Sequence, residues 1–95
     1  MPVVNLPAVL AAYADGARHL PVELPEDATV GAMIRTLGET YPGVRHRVLD
    51  ETGALRQHVN VFVNGESVRW LDGLATRLGP DDEISIIPAV SGGSR

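Results

Sequence analysis

The sequence predicts an α+β fold in which a mixed sheet of four or five strands packs on one main helix. Val30, Met33, Ile34, Leu37 and Tyr41 recur at the i, i+3, i+4, i+7, i+11 spacing of a single amphipathic helix. Apolar and polar residues alternate in strand fashion on both sides of it. The turn pairs Asp15-Gly16 and Asn64-Gly65 punctuate those strands.

Taken in order, the run from Val3 to Leu10 reads as a strand, closed by Asp15-Gly16, because both central positions of a type I′ hairpin turn need positive φ. In RHLPVELP, Leu20, Val22 and Leu24 alternate with His19, Pro21 and Glu23, giving a second strand with one apolar face. Pro21 has no N–H for a ladder, so that side of the strand is expected to face outward. Thr29 is placed to cap the helix, and Pro42-Gly43 to stop it. VRHRVLDETGAL is polar and irregular, reading as a short helical turn and a loop. HVNVFVNGE then alternates through Val59, Val61 and Val63, and a short SVRW strand, a turn LDGLATRL and a final strand EISIIP complete the chain. A hairpin, one helix and further strands arrange most economically as a β-grasp, or ubiquitin-like, architecture. Residues 1–88 form that domain, and residues 89–95 read as a flexible C-terminal tail with a Gly-Gly motif.

Composition removes several function classes. At 95 residues the chain is one domain, burying roughly 60–65% of the surface its unfolded form exposes, and a large active-site cavity is not expected. The hydrophobic fraction is 44% and the charged fraction 21%, as in a soluble globular domain. Net charge is −4, and the eight basic residues are scattered arginines with no stripe to track a phosphate backbone, so nucleic-acid binding is not expected. The chain has no lysine for Schiff-base chemistry and no cysteine for thiolate catalysis, disulfides or thiolate metal sites. His19, His46 and His58 lack metal-ligand spacing and read as surface or satisfied residues. The opening VVNLPAVLAAYA has no preceding positive charge and is interrupted by Asn5 and Pro7, unlike an export signal. No apolar run approaches the roughly 20 residues of a membrane span. A cytoplasmic location, away from membranes, is the expectation.

Two positions break the inward-apolar rule. If Val59, Val61 and Val63 face the helix, Phe62 faces away; if Ile84 and Ile86 face it, Ile87 faces away with Ser85. Isolated surface apolar residues are ordinary, but two on adjacent strands would also make a docking patch for a partner. Trp70 and Tyr13 read as partial core or rim, and Arg69 as a group that pairs with an acid or docks a partner. SGGSR poses a similar choice. Its composition fits a solvated end, yet an arm from Ala89 to Gly93 would reach roughly 17 Å, and glycines without Cβ would pass a narrow channel.

The span GPDDEISIIPAVSGG resembles the ending of the ThiS/MoaD family of prokaryotic ubiquitin-like sulfur-carrier proteins. There an acidic turn, a hydrophobic strand, a proline and a terminal Gly-Gly follow one another. VNVFVNGESVRWLDGLATRL is similar to the middle of the CysO-type carriers, which serve cysteine synthesis, and ATVGAMIRTL fits the helix start. The resemblance implies no enzyme but a carrier and co-substrate of partner enzymes. A ubiquitin-activator-like adenylating enzyme, using ATP and Mg²⁺, would activate the terminal glycine carboxylate. Sulfur would then displace AMP, and the thiocarboxylate would deliver it to a sulfur-acceptor enzyme. Residue by residue, Gly93 would bear the thiocarboxylate, Gly92 would give access, and Phe62 and Ile87 would lie on the docking face; the chain would bind no metal or cofactor of its own. Gly93 is bonded to Ser94, however, so its carbonyl is an amide and cannot be adenylated. Carriers with short extensions imply removal of Ser94 and Arg95 by a JAMM-type zinc metalloprotease; the alternative is a chain that is not processed and only binds. A second reading is a ubiquitin-like modifier joined through Gly93 to target lysines.

Overall fold

The structure, a computed structural model, describes residues 1–88. Strand β1 (Val3–Asn5) leads into a one-turn helix α1 (Ala8–Ala11), then β2 (His19–Pro21), the main helix α2 (Val30–Thr40), a second helix α3 (Pro42–Val48), and β3 (Val59–Val63), β4 (Glu66–Ser67) and β5 (Glu83–Pro88). The sheet order is β2-β1-β5-β3-β4. β1 runs parallel to β5, and the other pairings are antiparallel. β5 is therefore central, and β2, which carries Pro21, is an edge strand where a missing N–H is tolerated.

The main helix forms where its period places it. Thr29 Oγ1 accepts from the Ala32 N–H at 3.1 Å, capping the first turn. Val30, Met33, Ile34 and Leu37 are buried. They meet Val4 of β1, Val59, Val61 and Val63 of β3, and Ile84 and Ile86 of β5 in one core. Val4 pairs with Ile84 and Val61 with Ile86, so the inward rows of three neighbouring strands are in register.

Several elements differ from the sequence expectation, and of RHLPVELP only His19–Pro21 is strand. The run Val3–Leu10 is not one strand: Pro7 has no ladder donor, its carbonyl accepts from the N–H of Leu10 and Ala11, and the chain turns into α1. Asp15 (φ 55°) and Gly16 (φ 82°) do take the left-handed conformations of a turn, but between α1 and β2, not between two strands. Pro42 does not simply end the helical region. It sits in the first turn of α3, where a missing N–H costs nothing, and Val44 and Val48 bury that helix against the core. Of SVRW only Ser67 belongs to a strand, paired with Glu66 in the two-residue β4, after which Val68–Trp70 forms a 3₁₀ turn that buries Val68. Asn64 (φ 52°) and Gly65 (φ 89°) form the predicted turn between β3 and β4.

Candidate functional site

The chemistry implied by the sequence belongs to Gly92 and Gly93, with Ser94 and Arg95 behind them. These four, and the whole tail assigned to 89–95, lie outside the described residues. What the structure defines is the strand that carries them. β5 is hydrogen-bonded on both sides, to β1 over Val3–Asn5 and to β3 over Val59–Val63, and it ends at Pro88 opposite Val59. The tail thus starts from the most constrained strand of the sheet.

The two faces of the sheet differ around that point. On the face away from the helices, Ile87 is 47% exposed. Its direct partner is Asn60, while Phe62 pairs with Ser85 on one side and Ser67 on the other. Phe62 and Ile87 are therefore diagonal neighbours, a relation that places side chains roughly 7–8 Å apart, within reach of an aromatic ring. Phe62 is half-buried, not fully exposed as the alternation implied. The two apolar positions do share one face, beside the root of the tail.

Pro88 has the opposite sense, in line with Ile84 and Ile86, and lines a cleft on the helical side. This cleft, about 520 Å³, is also bordered by Tyr13, His46, Arg47, Arg56 and His58. The Arg47 guanidinium lies over the Tyr13 ring, 4.2 Å from its centroid. Arg56 Nε donates to the His46 carbonyl at 2.9 Å. Sequence reasoning missed this constellation, because its members come from α1's exit, α3 and the entry to β3, and no spacing links them. The sequence reads His46 and His58 as surface or satisfied residues; both are exposed, and both border this cleft. His19 is elsewhere, with its Nδ1 2.6 Å from Asn5 Oδ1. Among the described residues, no three His, Cys, Asp or Glu side chains gather as a metal site, and no helix is long and apolar enough to cross a membrane.

Trp70 departs from its expected place, and one of the two roles read for Arg69 falls away. Trp70 is 83% exposed, not part of the core or its rim. Arg69 pairs with no acid among the described residues: its Nη2 donates to the carbonyls of Val59 (2.8 Å), Gln57 (3.1 Å) and Arg56 (3.3 Å). Asp50 opens the loop after α3, where its Oδ1 accepts from the Thr52 hydroxyl (2.6 Å) and from the N–H groups of Thr52 (2.8 Å) and Ala54 (3.1 Å). The Thr52 hydroxyl first, then the backbone N–H groups and nearby Arg56, hold its carboxyl below the ordinary aspartate value.

Comparison with known proteins gives the same picture. The model of the ThiS family matches residues 4–93. The chain is 36% identical to the sulfur carrier protein CysO of Mycobacterium tuberculosis over 92 residues, 95% of this chain and 96% of that one. It is 40% identical to small archaeal modifier protein 3 of Haloferax volcanii over 78 residues, 82% and 84% of the two chains. The crystal structure of the Amycolatopsis orientalis BexX/CysO complex contains a chain that superposes with a TM-score of 0.87 at 30% identity, covering 98% of this chain and all of that one. A five-stranded mixed sheet wrapped on its helices, matched from Val4 to Gly93, places this chain in the ThiS family of β-grasp, ubiquitin-like proteins.

Proposed function

We propose that this chain is a sulfur carrier whose chemical group is the carboxylate of Gly93, freed when the bond to Ser94 is cut. The observation that carries the reading is the extent of the family match, which stops at Gly93, the second glycine of the pair, and leaves out Ser94 and Arg95. The fold supports it: the central strand, paired with β1 over Glu83–Ser85 and with β3 to its last residue Pro88, fixes the point from which the tail departs.

The steps follow from the chemistry of a carboxylate, a poor electrophile until one oxygen becomes a leaving group. In an adenylating partner, with ATP and Mg²⁺ as its substrates, a Gly93 carboxylate oxygen attacks the α-phosphorus and pyrophosphate departs. A sulfide sulfur then attacks the acyl carbon and AMP departs, leaving a thiocarboxylate directly. A persulfide would instead leave an acyl disulfide, from which a second thiol releases the thiocarboxylate by taking the donor's sulfur into a new disulfide. This chain has no cysteine, so the sulfur must come from elsewhere. The thiocarboxylate passes its sulfur to an acceptor enzyme; the likeness to CysO favours cysteine synthesis as the destination. In this scheme the domain contributes docking, through Phe62 and Ile87, and reach, through Gly92, while catalysis belongs to the partners. The BexX/CysO complex is a precedent for a carrier of this type held by another protein. A JAMM-type metalloprotease suits the Gly93–Ser94 cut, because that bond must open before adenylation.

The test is intact mass spectrometry after incubation with an activating enzyme, ATP, Mg²⁺ and sulfide. A chain ending at Gly93 is expected to gain the mass difference of sulfur for oxygen, and the chain ending at Arg95 to remain unchanged. No conversion of the trimmed chain would overturn the reading. A second reading, conjugation through Gly93 to lysines of other proteins, is favoured by the likeness to small archaeal modifier protein 3. It predicts high-mass adducts that survive reductant. Because the chain has no lysine, its own side chains would add no second copy.

A further inference from the structure

We infer that the cleft beside Pro88 is a second docking site, which receives an acidic segment of the protein that takes the tail. The first observation is charge. The chain has net charge −4, yet this cleft gathers the guanidinium groups of Arg47 and Arg56 and the imidazoles of His46 and His58. The second is compensation. The ion pair found among the described residues, Arg77 with Asp27, lies elsewhere, so neither cleft arginine has a carboxylate within 4.0 Å there. Arg56 and His46 also line an adjoining depression with Asp50, Glu51 and Arg45, and Asp50 feels Arg56 there, whereas Arg47 lines only the cleft. Arg47 is therefore the less neutralised cation of the two.

The third observation is that these cations are already held in place. Arg47 rests on Tyr13, and Arg56 on the His46 carbonyl. An arriving carboxylate would meet side chains that have lost part of their rotamer freedom, which lowers the cost of association. The lining also includes Val9 and Leu10, so the partner segment should carry an apolar residue among its acids. A small inorganic anion fits less well. Among the described residues no buried side-chain polar atom lacks a partner, so no enclosed donor awaits such an ion. Position completes the case: Pro88 is at once part of the cleft wall and the last described residue before the tail. A partner seated here and on the Phe62–Ile87 face would grip the tail's root from both sides of the sheet. The two-sided grip rests on the carrier reading; the charge preference of the cleft does not.

The experiment is an amide NMR titration of the full chain with the peptide Ac-Glu-Glu-Leu-Glu-Glu-NH₂. Parallel titrations use its Gln-for-Glu counterpart, inorganic phosphate and AMP. Saturable shifts at Tyr13, Arg47 and His58 are expected with the acidic peptide, with affinity on the order of tenfold weaker for the neutral peptide and falling as salt rises. Arg47→Gln should weaken binding and Arg47→Glu abolish it, with the amide spectrum of the sheet unchanged because Arg47 is exposed. Equal binding of both peptides, saturation by phosphate or AMP at these residues without a response to the acidic peptide, or no shift with any probe would each overturn the proposal. A second arm uses the trimmed chain and an activating enzyme. There Arg47→Glu should raise the carrier concentration for half-maximal thiocarboxylate formation about tenfold without changing the maximal rate. If no variant forms thiocarboxylate, the carrier reading fails, and the peptide titration still decides the cleft.

Discussion

Arg69 Nη2 donates a 2.8 Å hydrogen bond to the carbonyl oxygen of Val59, the first residue of β3. The same nitrogen reaches the carbonyls of Gln57 and Arg56, so one guanidinium gathers the backbone that enters the strand. Nη2 shares its two N–H groups among these three carbonyls while Nε, on the same rigid plane, lies 3.5 Å from Asn60 Oδ1, a two-nitrogen arrangement that lysine cannot reproduce. Arg69→Ala is expected to destabilise the domain by about 1.5–3 kcal/mol, the range for hydrogen bonds to a charged group. Arg69→Lys should recover part of that loss. Urea unfolding of the three proteins checks this, and an Ala variant as stable as the parent would exclude the clamp.

Gly38 leaves no room for a side chain where α2 faces Arg45 of α3. A Cβ placed there would lie 2.6 Å from Arg45 Cβ and 2.7 Å from Arg45 Cδ. The first contact is near the backbone, so α3 would have to shift and not merely rotate a side chain. Gly38→Ala should therefore cost about 1–3 kcal/mol, the overpacking range, although alanine is the better helix former. Thermal unfolding reads the sign directly: stabilisation would show that α3 moves freely.

The order of elements was legible because each inward row has its own period. Val30, Met33, Ile34 and Leu37 mark a helix, while Val59, Val61 and Val63 mark a strand. The opening was misread because Val3 to Leu10 is almost continuously apolar. Yet Leu6, Leu10, Ala11 and Ala14, all buried, already follow helical spacing. Pro7 was the signal that the strand must stop. Phe62 and Ile87 were legible as a face, since alternation fixes which side a strand residue takes. How much of Phe62 stays in contact with solvent was not, because that depends on neighbours brought in by other strands. The basic cleft had no local signature at all. Tyr13, Arg47 and Arg56 meet only once α3 has packed beside the exit from α1.

Asp50 gives the loop after α3 a pH dependence. Its carboxyl is held below the ordinary aspartate value by the Thr52 hydroxyl, the backbone N–H groups and Arg56. A lowered folded-state value means that ionised Asp50 stabilises the fold above the unfolded-state value, and that this contribution is lost as pH falls through the folded one. Asn at this position keeps an acceptor oxygen and loses only the charge. Asp50→Asn should thus be less stable than the parent at neutral pH, and the difference should close on acidification below about pH 4. Stability curves of both proteins across that range test the sign; a constant gap would remove the charge from the account.

Ile87 is the cleaner probe of the proposed docking face. It is 47% exposed at the end of β5, with Asn60 as its direct cross-strand partner. Ile87→Ser should therefore change stability by only about 0.5 kcal/mol, as for other surface positions. Phe62→Ala removes a half-buried ring and should lower stability and binding together. If the Phe62–Ile87 pair anchors the partner, Ile87→Ser should cost about 2 kcal/mol of binding, roughly thirtyfold in Kd. Calorimetric titration of an activating enzyme with parent and variant measures this without depending on turnover. A variant that binds as tightly as the parent, at unchanged stability, would move the interface off this face and leave the Arg47 side of Pro88 as the one to map.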